Sequence, residues 1–309
     1  MSDQLKHTLN SGHSEPPSEA RKIHLGVLFA IGSALALSTM GPIGKLTIGA
    51  GVDPLTLVTW RAIFAAILVA IWATVRHRDS LGVRARDLMW FLLLGFVGIS
   101  LNYLFFFRAL EVTTVSTAII LVYTYPIMVT LGAAVLLREP LTRQTVLCVG
   151  LATLGCFLIA QVYDPSAFRI NQTGLLFGAS AAITKTLYTL ISKHLLERYN
   201  PQPIILYAFG FGAIGLTILH GAPLESGAQL SPLNWSGIIA IAIVPTLLGY
   251  SMFIISMKFI EASRASIIAL LEPLAAVALA LIFLGEMPEV VQLLGGLCIL
   301  AAVMRIRTT

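Results

Sequence analysis

Ten apolar runs, separated by short polar breaks, constrain this chain more than any other feature. They cover about residues 25–47, 54–75, 87–107, 113–137 and 143–161, then 172–194, 202–220, 234–257, 263–284 and 288–305. A run of roughly 20 apolar residues matches a helix that crosses the hydrocarbon core of a bilayer. The runs take up most of the 309 residues, so the expected fold is an all-α polytopic membrane protein with ten transmembrane helices. A composition of 57% hydrophobic and 11% charged residues excludes a soluble domain of this size. The breaks are too short to hold a soluble domain. Pro54, Pro201 with Pro203, Pro232 and Pro288 stand at helix starts. Residues 1–24 are polar, lack apolar periodicity and read as a mobile cytoplasmic tail rather than a signal peptide.

The basic residues set the orientation. With the N-terminus inside, 15 Lys and Arg fall in inside segments, among them Arg21, Lys22, Arg84, Arg86, Lys193 and Arg198. Only 3 fall outside: Lys45, Arg108 and Arg169. That bias places both termini in the cytoplasm. The net charge of +5 follows from these loop residues, so nucleic-acid binding is not expected. Cys148, Cys156 and Cys298 lie in apolar runs and read as buried, inert thiols, with neither disulfide nor metal spacing.

The second half of the chain repeats the first. At an offset of 148, Gly26 matches Gly174, Phe29 matches Phe177 and Lys45 matches Lys193. At 147, Pro54 matches Pro201, Tyr103 matches Tyr250, Pro126 matches Pro273 and Glu139 matches Glu286. A shared offset along most of the chain is the mark of a duplication. The units are 25–161 and 172–305, each with five helices. Five is odd, so the second unit enters the membrane from the opposite side. Two inverted halves around a central site are a common plan for secondary transporters.

The last two helices of each half carry a resemblance. They read ALEVTTVSTAIILVYTYPIMVTLGAAVLLREPLT and SMKFIEASRASIIALLEPLAAVALALIFLGEMPE. With the five-plus-five duplication, the chain resembles the drug/metabolite transporter superfamily, in its ten-helix branch of two EamA-type repeats. Glu272–Pro273 and Gly285–Glu286 look like that family's signature; the first half has Tyr125–Pro126 and Arg138–Glu139 instead. The resemblance covers about 25–305 and implies two inverted five-helix repeats. It also implies an exporter of small metabolites, such as amino acids or amines, in a bacterial inner membrane. It does not name a substrate, because one scaffold serves many.

Charged and polar residues inside spans are costly and mark candidate sites. Lys185 and Glu272 lie at about the same depth, roughly 13 Å from the cytoplasmic side. Opposite charge at equal depth allows a salt bridge, either a static clamp or a gate opened by substrate or a proton. Glu272 is the candidate for proton coupling. Pro126 and Pro273 are expected to kink their helices at this level. Asn102, Tyr103, Tyr123, Tyr125, Tyr188 and Tyr250 either line a cavity for amphipathic solutes or simply pack. Arg61, about 10 Å from the outer end, reads as snorkelling to headgroups in preference to a site role. Trp60 reads as an interface anchor or a cavity wall. Glu139 and Glu286 read as caps or loop anchors at helix ends.

No Asp lies deep within a span, Asp87 standing at the very start of the third run, and the histidines sit at helix ends, in a loop or in the tail. No nucleophile with its base, no clustered metal ligands and no phosphate loop is legible, so no enzyme, cofactor or direct ATP use is expected. The expected partners are a small-molecule substrate, the lipid bilayer and, at Glu272, protons; monomer and dimer stay open. An importer, exchanger or uniporter on the same fold is the runner-up, and a non-transport scaffold the third reading. The charge bias makes one prediction. Reporter fusions after Thr309 and within residues 221–233 should report opposite sides of the membrane, and one shared side would end the inverted-repeat reading.

Overall fold

A computed structural model describes residues 19–76, 81–164, 171–285 and 287–307. The N-terminal part of the tail, His77, Arg78, Arg169 and Glu286 lie outside the described residues. Among the described residues, ten apolar helices follow one another. α1 is Glu19–Gly49, α2 Pro54–Arg76 and α3 Ala85–Val112. α4 runs over Val115–Val122 and Tyr125–Leu136, and α5 over Arg143–Ile159. α6 is Gln172–Leu196, α7 Pro201–His220 and α8 Pro232–Met257. α9 runs over Ala262–Ala269 and Leu271–Leu284, and α10 over Val290–Arg307. Eight are long and apolar enough to span; α5 and α10 are shorter apolar helices. The described residues contain no strand.

The two halves interleave. α5 packs chiefly on α10 and α2 on α7, each a helix on its repeat mate. α1 packs on α8 and α3 on α6, again across the halves. The α5–α10 crossing is made by small residues. A Cβ at Gly155 would stand 2.5 Å from the Gly295 carbonyl oxygen, and one at Gly295 would stand 2.6 Å from the Gly155 carbonyl oxygen. In lipid, where apolar burial gives little drive, backbones this close supply the packing that holds helices together.

Departures from ideal helix recur at the repeat spacing. α3 is π-helical over Phe96–Leu101 and α8 over Ala242–Gly249. Subtracting 147 from 242–249 gives 95–102, which spans the first stretch. Pro245 accounts for one of them by removing a backbone donor; its mate, Gly98, lets the Tyr188 side chain approach closely. α4 and α9 both break near their middles, just before Pro126 and Pro273, and restart with the proline in the first turn. α1 also breaks, at Thr39, whereas its mate α6 is continuous. Pro42 accounts for that break, since it has no amide hydrogen to give the Ser38 carbonyl one turn earlier; its mate in α6, Leu190, has one.

Polar contacts close both ends of the bundle. On the face carrying residues 19 and 307, Arg138 takes a left-handed φ of 57° after α4. Its repeat mate, Gly285, has a φ of 69°. The turn brings Glu139 to the start of α9, where its carboxylate accepts from the Ala262 and Ser263 amides at 2.6 and 3.1 Å. An acidic cap on open amides at a helix N-terminus is favourable. Asp87 accepts from Arg198 at 3.2 Å and from Tyr199 Oη at 2.7 Å. On the opposite face, Trp60 Nε1 donates to the Pro223 carbonyl at 3.1 Å and its ring meets Trp235 edge-on. Trp60 thus holds the six-residue helix Pro223–Ala228 of the α7–α8 connection.

The α5–α10 crossing predicts an asymmetry among glycines. Gly155→Val overpacks a backbone contact and should cost about 1–3 kcal/mol, seen as a lower unfolding midpoint in detergent. Gly150→Ala, with nothing within 4 Å of its Cβ position, should leave the midpoint unchanged.

Candidate functional site

The repeat places one contact on the axis that relates the halves. Tyr103 of α3 and Tyr250 of α8 are repeat mates, and their hydroxyls lie 2.8 Å apart with a separation of 147 in sequence. A residue that touches its own mate must sit beside the pseudo-twofold axis. Both tyrosines follow the π-helical stretches, whose wider turns aim them inward.

A narrow cavity lies against this axis, between the halves. Its wall includes Asn102, Tyr125, Lys185, Tyr188, Tyr250 and Glu272. Leu37, Gly98, Thr189, Phe253 and Ala269 complete it. Leu37 is the mate of Lys185 at 148, and Tyr125 is the mate of Glu272 at 147, so the cavity holds both members of two repeat pairs. It therefore straddles the axis. In each pair one half supplies the charge and the other an uncharged side chain.

The helix breaks position the charges. Pro273 has no amide hydrogen to give the Ala269 carbonyl one turn earlier, so α9 turns at Leu270 and restarts at Leu271. Glu272 stands in the first turn of the restarted helix. Lys185, on the unbroken α6, projects its ammonium over the Tyr125 ring at 4.7 Å and the Tyr123 ring at 5.8 Å. Such cation–π contacts favour a cation without a carboxylate in direct contact. Tyr123 and Lys185 are polar neighbours of the Glu272 carboxylate. Asn102 Nδ2 donates to the Ala181 carbonyl at 2.7 Å and to Thr184 Oγ1 at 3.0 Å, tying α3 to α6. The mirrored tie joins α1 to α8, where Ser33 Oγ donates to the Gly249 carbonyl at 2.8 Å.

Five residues are placed differently from the sequence reading. Lys185 and Glu272 share the cavity, but among the described residues the ion pairs within 4.0 Å do not include them. The tyrosine faces take the ammonium in place of a salt bridge. Arg61 does not snorkel. It is 1% exposed and turned inward, its guanidinium 4.0 Å from the centre of the Tyr103 ring. Depth alone suggested headgroups, but this face of α2 packs against protein. Tyr103 and Tyr123 stand behind the wall and reach the cavity through Tyr250 and through Lys185 and Glu272.

Sequence reasoning missed Leu37, Gly98, Thr189, Phe253 and Ala269, which look like ordinary packing residues. The repeat held a usable signal, since Leu37 is the image of Lys185 and Gly98 the image of Pro245.

Sequence comparison decides the family. The model of the EamA-like transporter family matches residues 24–161 and again 172–308. The chain belongs to the EamA-like transporter family. It is an integral membrane protein of transporter type, built from two inverted five-helix repeats. An uncharacterized transporter of Archaeoglobus fulgidus is 28% identical, over 88% of this chain and 94% of its own. YicL of Salmonella typhimurium, named an uncharacterized inner membrane transporter, is 24% identical over 80% of this chain and 82% of its own. A protein of Streptantibioticus cattleyicolor named a probable terminal-alkyne amino-acid exporter is 26% identical, over 82% and 91%. One crystal structure superposes with a TM-score of 0.78 at 16% identity, covering 91% of this chain and 95% of that chain, a likeness of fold alone.

The cavity predicts which charges matter. Lys185→Ala and Glu272→Gln should each lower transport roughly 10- to 100-fold at unchanged expression, the loss of one charge-assisted contact of about 1.5–3 kcal/mol. Normal transport by both variants would remove them from the site.

Proposed function

We propose that this transporter exports small amphipathic metabolites, amino acids or amines, across the inner membrane by alternating access. Both termini then lie in the cytoplasm. The observation that carries the reading is the cavity on the pseudo-twofold axis, where Lys185 and Glu272 stand among tyrosine faces. A carboxylate and a cation within one small space match the two charges of an amino acid. The Glu272 side alone accepts an amine. Aromatic faces accept the apolar or cationic part of the solute. The relatives named an inner membrane transporter and an amino-acid exporter support the location and the substrate class.

In this cycle Glu272 serves in turn for substrate and for a proton. A substrate ammonium holds the carboxylate ionised. When the cavity faces outside, protonation of Glu272 removes its hold on that ammonium and releases the solute. Loss of the proton to the cytoplasm resets the site. Net exchange is one substrate out for one proton in.

Proteoliposomes test this in one series. Purified protein should catalyse counterflow of at least one member of a radiolabelled panel of amino acids and amines. With an imposed pH gradient and no membrane potential, wild type should accumulate that solute, whereas Glu272→Gln should only equilibrate it. Accumulation insensitive to the pH gradient in both proteins would refute proton coupling. A panel with no transported member would refute the substrate class.

A further inference from the structure

The buried arginine of α2 has no place in the cavity described so far, and its surroundings do not satisfy it. Its Nη1 donates to Met40 Sδ, a weak acceptor, at 3.1 Å. Its Nε and Nη2 are buried without a hydrogen-bond partner among the described residues. Its face is covered by the Tyr103 ring. The ion pairs within 4.0 Å among the described residues do not include Arg61. A guanidinium stays protonated wherever it is placed, and a buried one with open donors is costly. Two neighbouring N–H groups in a fixed fork fit the two oxygens of a carboxylate.

The repeat shows when that fork meets the cavity. Seven residues of the present wall appear without their mates, and three of them with large side chains are Tyr188, Tyr250 and Phe253. Those mates, at offsets of 148, 147 and 147, are Met40, Tyr103 and Phe106. An inverted-repeat carrier reaches its opposite state when the two halves exchange conformations, and each wall position passes to its mate. The opposite wall then contains Met40, Tyr103 and Phe106. Arg61 already touches two of these three. Its own mate is Ala208, so the present state has no equivalent cation at that position.

We propose that Arg61 binds the carboxylate of the substrate in the state opposite to the one described here. The assignment rests on the alternating-access reading above and makes its substrates carboxylates, amino acids rather than simple amines. Lys185 and Glu272 stay on the axis in both states. Arg61 joins them in one state only, so the carboxylate passes from one cation to another as the carrier turns over. The Tyr103–Tyr250 hydrogen bond lies between the two stations.

The test reads charge at the station without knowing the substrate. Cys148, Cys156 and Cys298 are replaced by serine in the full chain, Met40→Cys is introduced, and the protein is reconstituted into liposomes. The new thiol is treated with an anionic sulfonate thiosulfonate reagent and with its cationic trimethylammonium counterpart. Each rate is divided by that with a free thiol in solution. The anionic reagent should be favoured about tenfold beside one uncompensated cation. Arg61→Gln should bring the ratio near one, and Arg61→Lys should keep the preference. Phe106→Cys gives the same reading where Met40→Cys does not elute as a folded species. A ratio unchanged by Arg61→Gln overturns the assignment, as does failure of both thiols to react with either reagent. The counterflow panel uses neither these reagents nor these variants, so the two readings fail separately. A preserved charge preference with no panel transport leaves an anion station in a carrier of other carboxylates.

Discussion

Backbone hydrogen bonding in a medium without water governs this structure. A helix in hydrocarbon satisfies its own amides and carbonyls, and any departure from helix needs a partner close by. The chain departs from α-helix in the middle of α3, α4, α8 and α9, all at positions related by the repeat. Those four departures meet at the interface between the halves, where protein and cavity replace lipid. The polar groups they release lie where a solute would pass. The rest of the bundle, with its glycine crossings and end caps, holds the four irregular helices in register.

The frame is symmetric in its backbone and asymmetric in its charges. Lys185 faces its image Leu37 across the cavity, and Glu272 faces its image Tyr125. Arg61 has Ala208 as its counterpart. A symmetric frame lets the inward and outward forms have similar packing and similar energy. Charges present in one half only make those two forms differ in how they hold an ion. In the proposed alternating-access cycle, the first property would allow turnover and the second would give it a direction once a gradient is applied.

Spans, duplication and inversion were legible because each leaves a trace along the chain: apolar length, a constant offset, and an odd number of helices per unit. Lys185 and Glu272 were legible as one polar level, because helical rise converts position into depth. Which way a side chain faces was not legible. Arg61 and Lys185 look alike as single cations in apolar runs, and only the packing of α2 against its neighbours turns Arg61 inward. The missing salt bridge has the same origin, since the tyrosine rings that take the Lys185 ammonium come from α4, a distant stretch of sequence. The π-helical stretches left one hint, Pro245, and the break at Thr39 left another, Pro42.

The hydroxyl contact between Tyr103 and Tyr250 has a further property. In the proposed alternating-access cycle, cross-half contacts away from the axis are replaced by their images, made by different residues. This one is its own image. The same two oxygens meet before and after, and only the choice of donor can reverse. In that proposed cycle the pair is a fixed point, a fulcrum for each half while the passages above and below it open and close in turn.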